Sequence, residues 1–390
     1  MNTPHLADLT KTDWLCLSFL SSIGPSRLSR LFTYLQQLDA PTADCISYEV
    51  LTALKWPDVT AREAMAYLSN GSLTKEQAIK RDDSLTWLAK DTHSLILQNE
   101  EAYPSALKEI NVAPAFLYVE GQLEPLALPK LGIVGARKCT RYARDATLQL
   151  AGQLSAHGIC VVSGGAMGID TAAHQGALQD KTTPTIAIMG TGLLHRYPSQ
   201  NRRMFDEILE QGALVSEYPL TTSPRPHLFP PRNRIISGVS MGVLVAEASI
   251  KSGSLISASY AVQQNRDVFA LPGRLTDVQS EGCHQLIRQG ATLVRRVEDI
   301  LEEYADLSQT NKTQSMLPLG QRQVSLQLLP TDASKQAKDV LACLERDTTP
   351  MDFDELIRQT QMPAGDMMQA LMELELYGCV ENRSGLYGRC

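Results

Sequence analysis

The chain has 390 residues, of which 43% are hydrophobic and 20% charged, and its net charge is -7. This composition excludes collagen-like, wholly disordered and disulfide-scaffold proteins. The length is enough for two or three domains. No uninterrupted apolar run reaches about 18 residues, so we expect no membrane span.

The chain begins without a basic-then-apolar signal sequence, and its eight cysteines form no CxxC pair. We therefore expect a cytosolic (cytoplasmic) protein with reduced thiols, and neither a metal site nor a cofactor. Charge is unevenly distributed: residues 130–300 carry a net charge of +5, whereas the rest of the chain carries -12. Any phosphate binding is therefore predicted in the middle of the chain.

The first 75 residues are predicted to form a helical domain. Apolar residues recur at helical spacing in WLCLSFL and LSRLFTYLQQL, with a break at Ser22–Ser26. The turn Ile23–Leu28 resembles that of a helix-hairpin-helix, whose backbone N–H groups can hold a phosphate. An ordinary turn in a small bundle is the alternative. Residues 76–129 are predicted as a connector with short extended segments, because four prolines interrupt them.

Residues 130–303 alternate strand-like and helical segments. The strands are LGIVGA, ICVVSGG, TIAIMG, ALVSEY, GVLVAEA and DVFALPG, and their almost continuous apolar character indicates burial on both faces. The pattern predicts an α/β fold, a doubly wound parallel sheet of Rossmann type. Helices are expected near 143–156, 169–179, 199–211, 232–240, 254–264 and 281–289.

The remaining residues are predicted to form a linker and a small domain. Residues 304–332 are rich in Gln and weakly patterned, which is typical of a flexible linker. Three helices and a hairpin in 333–390 indicate a winged-helix-like domain. Its third helix contains no Lys or Arg, and residues 331–390 carry a net charge of -5. We therefore expect a protein-interaction or regulatory module, not a reader of duplex DNA.

Glycines mark the end of the first strand of the predicted sheet. The segment Gly132–Gly135 is followed by Arg137, which would place a guanidinium at the mouth of the sheet, where open α/β sheets bind ligands. A tight turn with a solvated arginine is the alternative. The spacing is not GxGxxG, so dinucleotide binding is not supported.

A second glycine-rich turn follows the next strand and precedes a helix. Ser163, Gly164, Gly165 and Gly168 are candidates for an anion-binding nest of free backbone N–H groups. At the helix start, a local hydrogen bond between Asp170 and His174 is favoured over a metal or proton-relay role, because no third ligand is visible. Asp170 also suits this position by capping or by charge–dipole attraction.

A stiff loop rich in arginine and proline follows the fourth strand. Arginine forks match phosphate, and an aromatic face stacks an unpaired base. Alternatively, the aromatic ring fills a core, and one arginine pairs with an acid such as Glu217 or Glu247. The candidate DNA-binding residues in this loop are Arg225, Phe229, Arg232, Asn233 and Arg234.

A polar turn with a lysine follows the fifth strand. Lys251 and Gly253 lie just before another predicted helix, so they add a cation and a helix N-terminus at the same crevice. Arg137, Arg225, Arg232 and Lys251 are together predicted to line a groove along the carboxyl ends of the strands.

These segments in combination resemble the DNA processing protein A family, also called Smf. The resemblance rests on SGGAMGIDTAAHQGAL at 163–178, PPRNRIISGVS at 230–240, EASIKSGSLISA at 247–258 and FALPGRLTDVQSEGCHQLIRQGA at 269–291. It implies an N-terminal domain like a sterile alpha motif, an extended Rossmann domain and a C-terminal winged helix. By this resemblance, the DNA pocket of this chain would comprise Arg137, Ser163–Gly165 and Phe229–Arg234.

The resemblance also implies a function. Members bind single-stranded DNA, load the RecA recombinase onto it during natural transformation, act as homodimers and are not known to be enzymes. The rival is a nucleotide-processing enzyme similar to the Rossmann-type phosphoribohydrolases. Their PGGxGTxxE signature, which supplies the catalytic glutamate, is missing after Ser163-Gly164-Gly165.

Overall fold

The computed structural model describes residues 9–304, 334–346, 351–376, 380–383 and 386–389. They divide into two compact units, one holding residues 9–304 and the other the described residues from 334 onward. Apart from Tyr304, the predicted linker lies outside the described residues. No helix in the described ranges is long and apolar enough to cross a membrane.

Five helices open the first unit, and their ends follow local sequence signals. Thr10 and Thr74 each form a capping box with the residue three positions later, and Pro25 occupies the first turn of a helix. Gly71 ends another helix at a left-handed φ of 71°. The helices are α1 (Lys11–Leu17), α2 (Pro25–Gln36), α3 (Tyr48–Ala53), α4 (Asp58–Asn70) and α5 (Lys75–Leu88).

A nine-stranded sheet forms the centre of this unit, in the order β1-β2-β6-β5-β4-β3-β7-β8-β9. The strands β3 to β9 are parallel, whereas β2 pairs antiparallel with both β1 and β6. The strands are β1 (His93–Leu97), β2 (Phe116–Gly121), β3 (Lys130–Gly135), β4 (Cys160–Ser163), β5 (Ile186–Ile188), β6 (Ala213–Ser216), β7 (Gly242–Glu247), β8 (Asp267–Ala270) and β9 (Thr292–Leu293).

Helices cover both faces of the sheet, so the predicted doubly wound α/β fold is confirmed. One core includes Ile236 and Ala258, and the other includes Leu150 and Ala173. All six predicted strands are present as β3 to β8. The helices are α6 (Ser105–Lys108), α7 (Arg141–Ala156), α8 (Ile169–Asp180), α9 (Arg202–Leu209), α10 (Phe229–Val239), α11 (Ser254–Gln263), α12 (Glu281–Arg288) and α13 (Glu298–Leu301).

The segment 76–129, predicted as a connector, is built into the sheet through β1 and β2. The N-terminal helices share a core with these strands: Trp14 and Phe32 belong to the same buried cluster as Phe116 and Tyr118. The helical domain predicted for 1–75 therefore does not separate from the Rossmann-like part as a compact unit. The prolines that suggested a connector lie outside the strands: Pro104 directly precedes α6, Pro114 precedes β2, and Pro125 and Pro129 lie between β2 and β3.

The second unit has the predicted winged-helix composition. Met367, Ala370, Leu371 and Leu374, predicted at helical spacing, are all buried in its core. One short strand was not predicted, and it pairs with the hairpin in the order β10-β12-β11. The elements are α14 (Lys335–Arg346), β10 (Met351–Asp352), α15 (Phe353–Thr360), α16 (Ala364–Leu376), β11 (Val380–Arg383) and β12 (Leu386–Arg389).

Candidate nucleic-acid interface

A groove of about 270 Å³ lies at the carboxyl ends of the strands. It lies where the strand order reverses, between β3 and β7, which is the usual ligand position in open α/β sheets. The structure brings together five of the residues predicted for the site. Arg137, Phe229, Arg232, Asn233 and Gly253 all line this groove.

An exposed cation and an aromatic ring lie side by side at the groove. The guanidinium carbon of Arg137 lies 5.7 Å from the ring centroid of Phe229, which is cation–π geometry. Arg137 is exposed and Phe229 is half-buried. The ring packs against the backbone of Gly190, where an added Cβ would lie 2.6 Å from Phe229 Cδ1. The groove thus presents a positive charge beside a fixed aromatic surface.

The loop that carries Arg137 is held by a buried carboxylate. Glu247, at the end of β7, accepts hydrogen bonds from the backbone N–H and the hydroxyl of Thr140, both at 2.8 Å. Its carbonyl also accepts the N–H of Ala136 at 2.8 Å. The ion pair with an arginine considered for Glu247 is therefore wrong: this carboxylate fixes residues 136–140 and with them the backbone of Arg137.

Arg232 forms part of the groove wall from a buried position. Only 4% of the residue is exposed, and its guanidinium donates to the carbonyl of Ile188. Burial lowers the pKa of Arg232, and the nearby charge of Asp170 opposes that change. Gly164 makes room for this side chain, because a Cβ at that position would overlap the guanidinium.

The predicted anion nest already holds an anion of the protein itself. The carboxylate of Asp170 accepts the N–H of Ala166 at 3.2 Å, and Ser163 donates its hydroxyl to Ile133. Burial raises the pKa of Asp170, while Arg232 and the loop N–H groups oppose that rise. The nest is therefore filled from within, which the spacing of the glycines did not indicate.

The glycines of this turn permit close packing within the protein. Gly165 and Gly168 have φ angles of 67° and 81°, which other residues rarely adopt. A Cβ on Gly165 would lie 2.6 Å from Phe205, and one on Gly168 would overlap the carbonyl of Ala136. Ser163, Gly164, Gly165 and Gly168 thus shape the groove wall from behind and do not line the groove.

Arg234 belongs to a buried ion pair and does not line the groove. Its two terminal nitrogens donate to the two carboxylate oxygens of Glu217 at 2.7 and 2.6 Å, and Nε donates to the carbonyl of Val112. The Arg234 side chain is 10% exposed and that of Glu217 is 2% exposed. Of the two arginines in α10, Arg234 is therefore structural, as one of the alternatives from the sequence proposed, and we exclude it from the groove.

The other two predicted cations lie on exposed turns beside the groove. Arg225 precedes the loop of Phe229, and Lys251 precedes α11; both are exposed and neither lines the groove. The hydrogen bond predicted between Asp170 and His174 is wrong. Nδ1 of His174 lies 2.9 Å from the Thr185 hydroxyl, and burial lowers its pKa to about 3, so the ring is neutral and structural.

Two neighbours of the groove were missed by the sequence reasoning. Tyr197 is 44% exposed, and its ring centroid lies 5.7 Å from that of Phe229. Ser257, in α11, lines the groove with a buried hydroxyl that has no hydrogen-bond partner among the described residues. Tyr197 follows a glycine-rich turn after β5, and only its position at the same sheet edge could have suggested it.

The fold and the groove define a two-unit Rossmann-like protein with a cationic, aromatic site at the switch point of its sheet. The DNA recombination-mediator protein A family matches residues 94–305, and the DprA winged helix domain matches residues 326–385. The Smf protein of Escherichia coli is 35% identical over 96% of this chain and 95% of its own. The chain belongs to the DNA recombination-mediator protein A family.

Solved structures agree with this assignment. DNA processing protein A of Streptococcus pneumoniae is similar with a TM-score of 0.63 and 34% identity, covering 76% of this chain and 98% of its own. DNA processing protein A of Helicobacter pylori, described with a unique single-stranded DNA binding mode, gives a TM-score of 0.50 at 32% identity. That match covers 55% of this chain and 96% of its own.

Proposed function

We propose that this protein is a DNA processing protein that binds single-stranded DNA and mediates recombination by loading the RecA recombinase. The observation that carries the DNA-binding step is the exposed guanidinium of Arg137 beside the ring of Phe229 at the switch point. This pair offers a phosphate contact and a stacking surface within one nucleotide's reach. The single-stranded DNA binding of the H. pylori relative supports the same ligand here.

A catalytic role for the groove is not favoured. The rival phosphoribohydrolase reading needs a glutamate positioned to act on a nucleotide. The carboxylate among the groove-lining residues is Asp170, which is 7% exposed and already accepts a loop N–H. A carboxylate used in this way supports the groove structurally. We therefore propose that the protein acts by binding, and nucleotide hydrolysis by the purified protein would contradict this.

Replacing Arg137 with alanine is expected to reduce the salt dependence of single-strand binding. Each phosphate contact contributes about -0.7 to the slope of log affinity against log salt concentration, so the slope should flatten by about that amount. The side chain is exposed and contacts the Phe229 ring, so its removal should change the melting temperature little. Binding of labelled single strands across a salt series measures the slope.

Two further measurements complete this test. Duplex DNA, compared at the same salt concentrations, should bind more weakly than single strands, because a paired base cannot stack on Phe229. Adding the wild-type protein should raise the rate of RecA nucleation on a single strand. The Arg137→Ala variant should raise it less. An unchanged slope in a folded variant would count against the phosphate contact, and unchanged nucleation against RecA loading.

We further propose that the protein acts as a homodimer through the β8–β9 edge of the sheet. Leu293 lies in the edge strand β9, Leu275 and Val278 lie in the loop that follows β8, and their exposed fractions are 39%, 91% and 63%. Exposed apolar groups beside an edge strand are typical of an interface. Sedimentation should show a dimer that Leu275→Asp dissociates and that Val59→Asp, in the exposed part of α4, leaves intact. A wild-type monomer at micromolar concentration would contradict the proposal.

The C-terminal unit is proposed as an interaction module. Its third helix, α16, has the exposed Asp366 in its first turn, and Glu373 accepts hydrogen bonds from Ser334, so neither offers a duplex a positive surface. Deleting residues 331–390 should leave most of the single-strand affinity, because the groove lies entirely within residues 134–257. Tight duplex binding by this domain at physiological salt would show that the charge argument is wrong.

A further inference from the structure

A second cavity, of about 600 Å³, lies in the same unit on the other side of the start of α10. The turn before α10 and its first residues line both cavities: Phe229 and Pro230 face the groove, whereas His227 and Leu228 face the second cavity. Its wall is completed by the turn that opens α2 and by the C-terminal half of α11. No part of the DNA-binding proposal uses this cavity.

The residues around this cavity have the chemistry that binds a nucleobase. The ring of Tyr260, in α11, is half-buried at the wall, and the exposed His227 lies at another side. Asn111 and Gln263 are exposed amides at the rim, which can pair with the donors and acceptors of a base edge. Aromatic side chains stack bases, and amide side chains read their edges.

The charges of the cavity favour a base over a phosphate. Its wall contains the ion pair of Glu217 and Arg234, in which the two charges neutralise each other at 2.6 Å. The guanidinium is occupied by this carboxylate and by the Val112 carbonyl, so it is not available to an external anion. A base stacked here would leave its phosphate outside, towards the exposed Arg225 and His227.

The two cavities are close enough for one strand to occupy both. Along α11, Ser254, Ile256 and Ser257 line the groove, and Tyr260 and Gln263 line the second cavity. Six residues separate the middles of the two lining segments, which is about 9 Å at a rise of 1.5 Å per residue. Consecutive nucleotides rise about 3.4 Å even when stacked in a duplex, so about three nucleotides cover that distance.

We propose that this second cavity is a base-binding subsite for the strand that occupies the groove. The inference rests on the proposed single-strand binding and adds a second contact point to it. The subsite takes an unpaired base of the same strand, held between Tyr260 and the turn that contains His227. A free nucleotide has the same chemistry, so the test must distinguish these two sources.

The test uses the full chain and oligothymidylates whose length increases by one nucleotide at a time. Once an oligomer extends about three nucleotides beyond the groove, its affinity should rise in a step of about tenfold. Tyr260→Leu should remove this step, and Tyr260→Phe should retain it because the ring remains. The step should depend little on salt, since it comes from stacking.

A charge variant controls for misfolding of the tyrosine variant. Gln263→Glu adds a negative charge at the exposed rim and should also weaken the step. Gln149→Glu makes the same change on exposed α7, against the opposite face of the sheet, and should have no effect. The shortest oligomers should bind the wild type and all of these variants equally.

The remaining outcomes separate the explanations. If the rise in affinity with oligomer length is unchanged in Tyr260→Leu and in Gln263→Glu, the proposed subsite is wrong. Labelled thymidine monophosphate that binds the wild type but not Tyr260→Leu, with the length step unaffected, would assign the cavity to a free nucleotide and overturn the strand assignment. If the short oligomers do not bind the wild type, the proposed function itself fails, and this inference fails with it.

Discussion

Replacing Glu217 with alanine is expected to lower the free energy of unfolding by about 3–5 kcal/mol, because it leaves a buried charge without its partner. Both terminal nitrogens of Arg234 are bound by this carboxylate, and the pair is almost inaccessible to water. The desolvation cost of the guanidinium would remain while its compensation is lost. Chemical denaturation of the wild type and variant measures the difference.

A paired replacement is the control for this prediction. Glu217→Leu combined with Arg234→Met removes both charges and keeps most of the apolar volume, so its cost should be much smaller than that of Glu217→Ala alone. If Glu217→Ala costs less than about 1 kcal/mol, the pair is solvated in solution and the buried geometry is wrong. If the paired replacement abolishes binding of the shortest oligomers, which occupy only the groove, our exclusion of Arg234 from the groove is wrong.

The central sheet could be predicted because its sequence signals are local. A parallel strand buried on both faces is a short continuous apolar run, and the glycine- or serine-containing turns after it mark where helices begin. The segments that became β3 to β8 meet both conditions. The short strand β10 (Met351–Asp352) has two residues and no periodicity to detect.

Local sequence signals could not predict which helices and strands pack together in one core. Apolar periodicity shows that α1 and β2 each have a buried face, but it does not show that Trp14 and Tyr118 belong to one cluster. The predicted break at residue 75 followed the end of the segment with helical spacing, whereas the structure begins α5 there. What decides the boundary is the long-range packing of the helices against the antiparallel edge of the sheet.

The same limit applies to the candidate site. Residue types at the strand ends correctly brought Arg137, Phe229 and Arg232 to one groove, because parallel strands share a carboxyl edge. The partners of buried charges depend on contacts between distant segments. The sequence could not show that Asp170 fills the glycine turn, nor that Glu247 binds residues 136–140 instead of an arginine.

We expect the ring of Phe229 to be the stacking surface of the groove. Phe229→Ala should weaken single-strand binding by about 1–3 kcal/mol, which is about 5- to 150-fold in dissociation constant, and the loss should depend little on salt. Arg137 lies over this ring, so the substitution also removes the cation–π contact that orients the guanidinium. Titration of a labelled oligomer at two salt concentrations measures both effects.

The alternative is that Phe229 acts as a core residue, and the two readings predict different measurements. Its ring is half-buried, whereas the ring of Phe205, behind Gly165, is fully buried. Phe205→Leu should therefore lower the melting temperature more than Phe229→Ala, with the affinity of the folded protein retained. Phe229→Tyr should bind almost as the wild type does, since the ring is kept. If Phe229→Ala melts early but binds normally once folded, the ring does not stack a base, and the affinity of the groove comes from its cations alone.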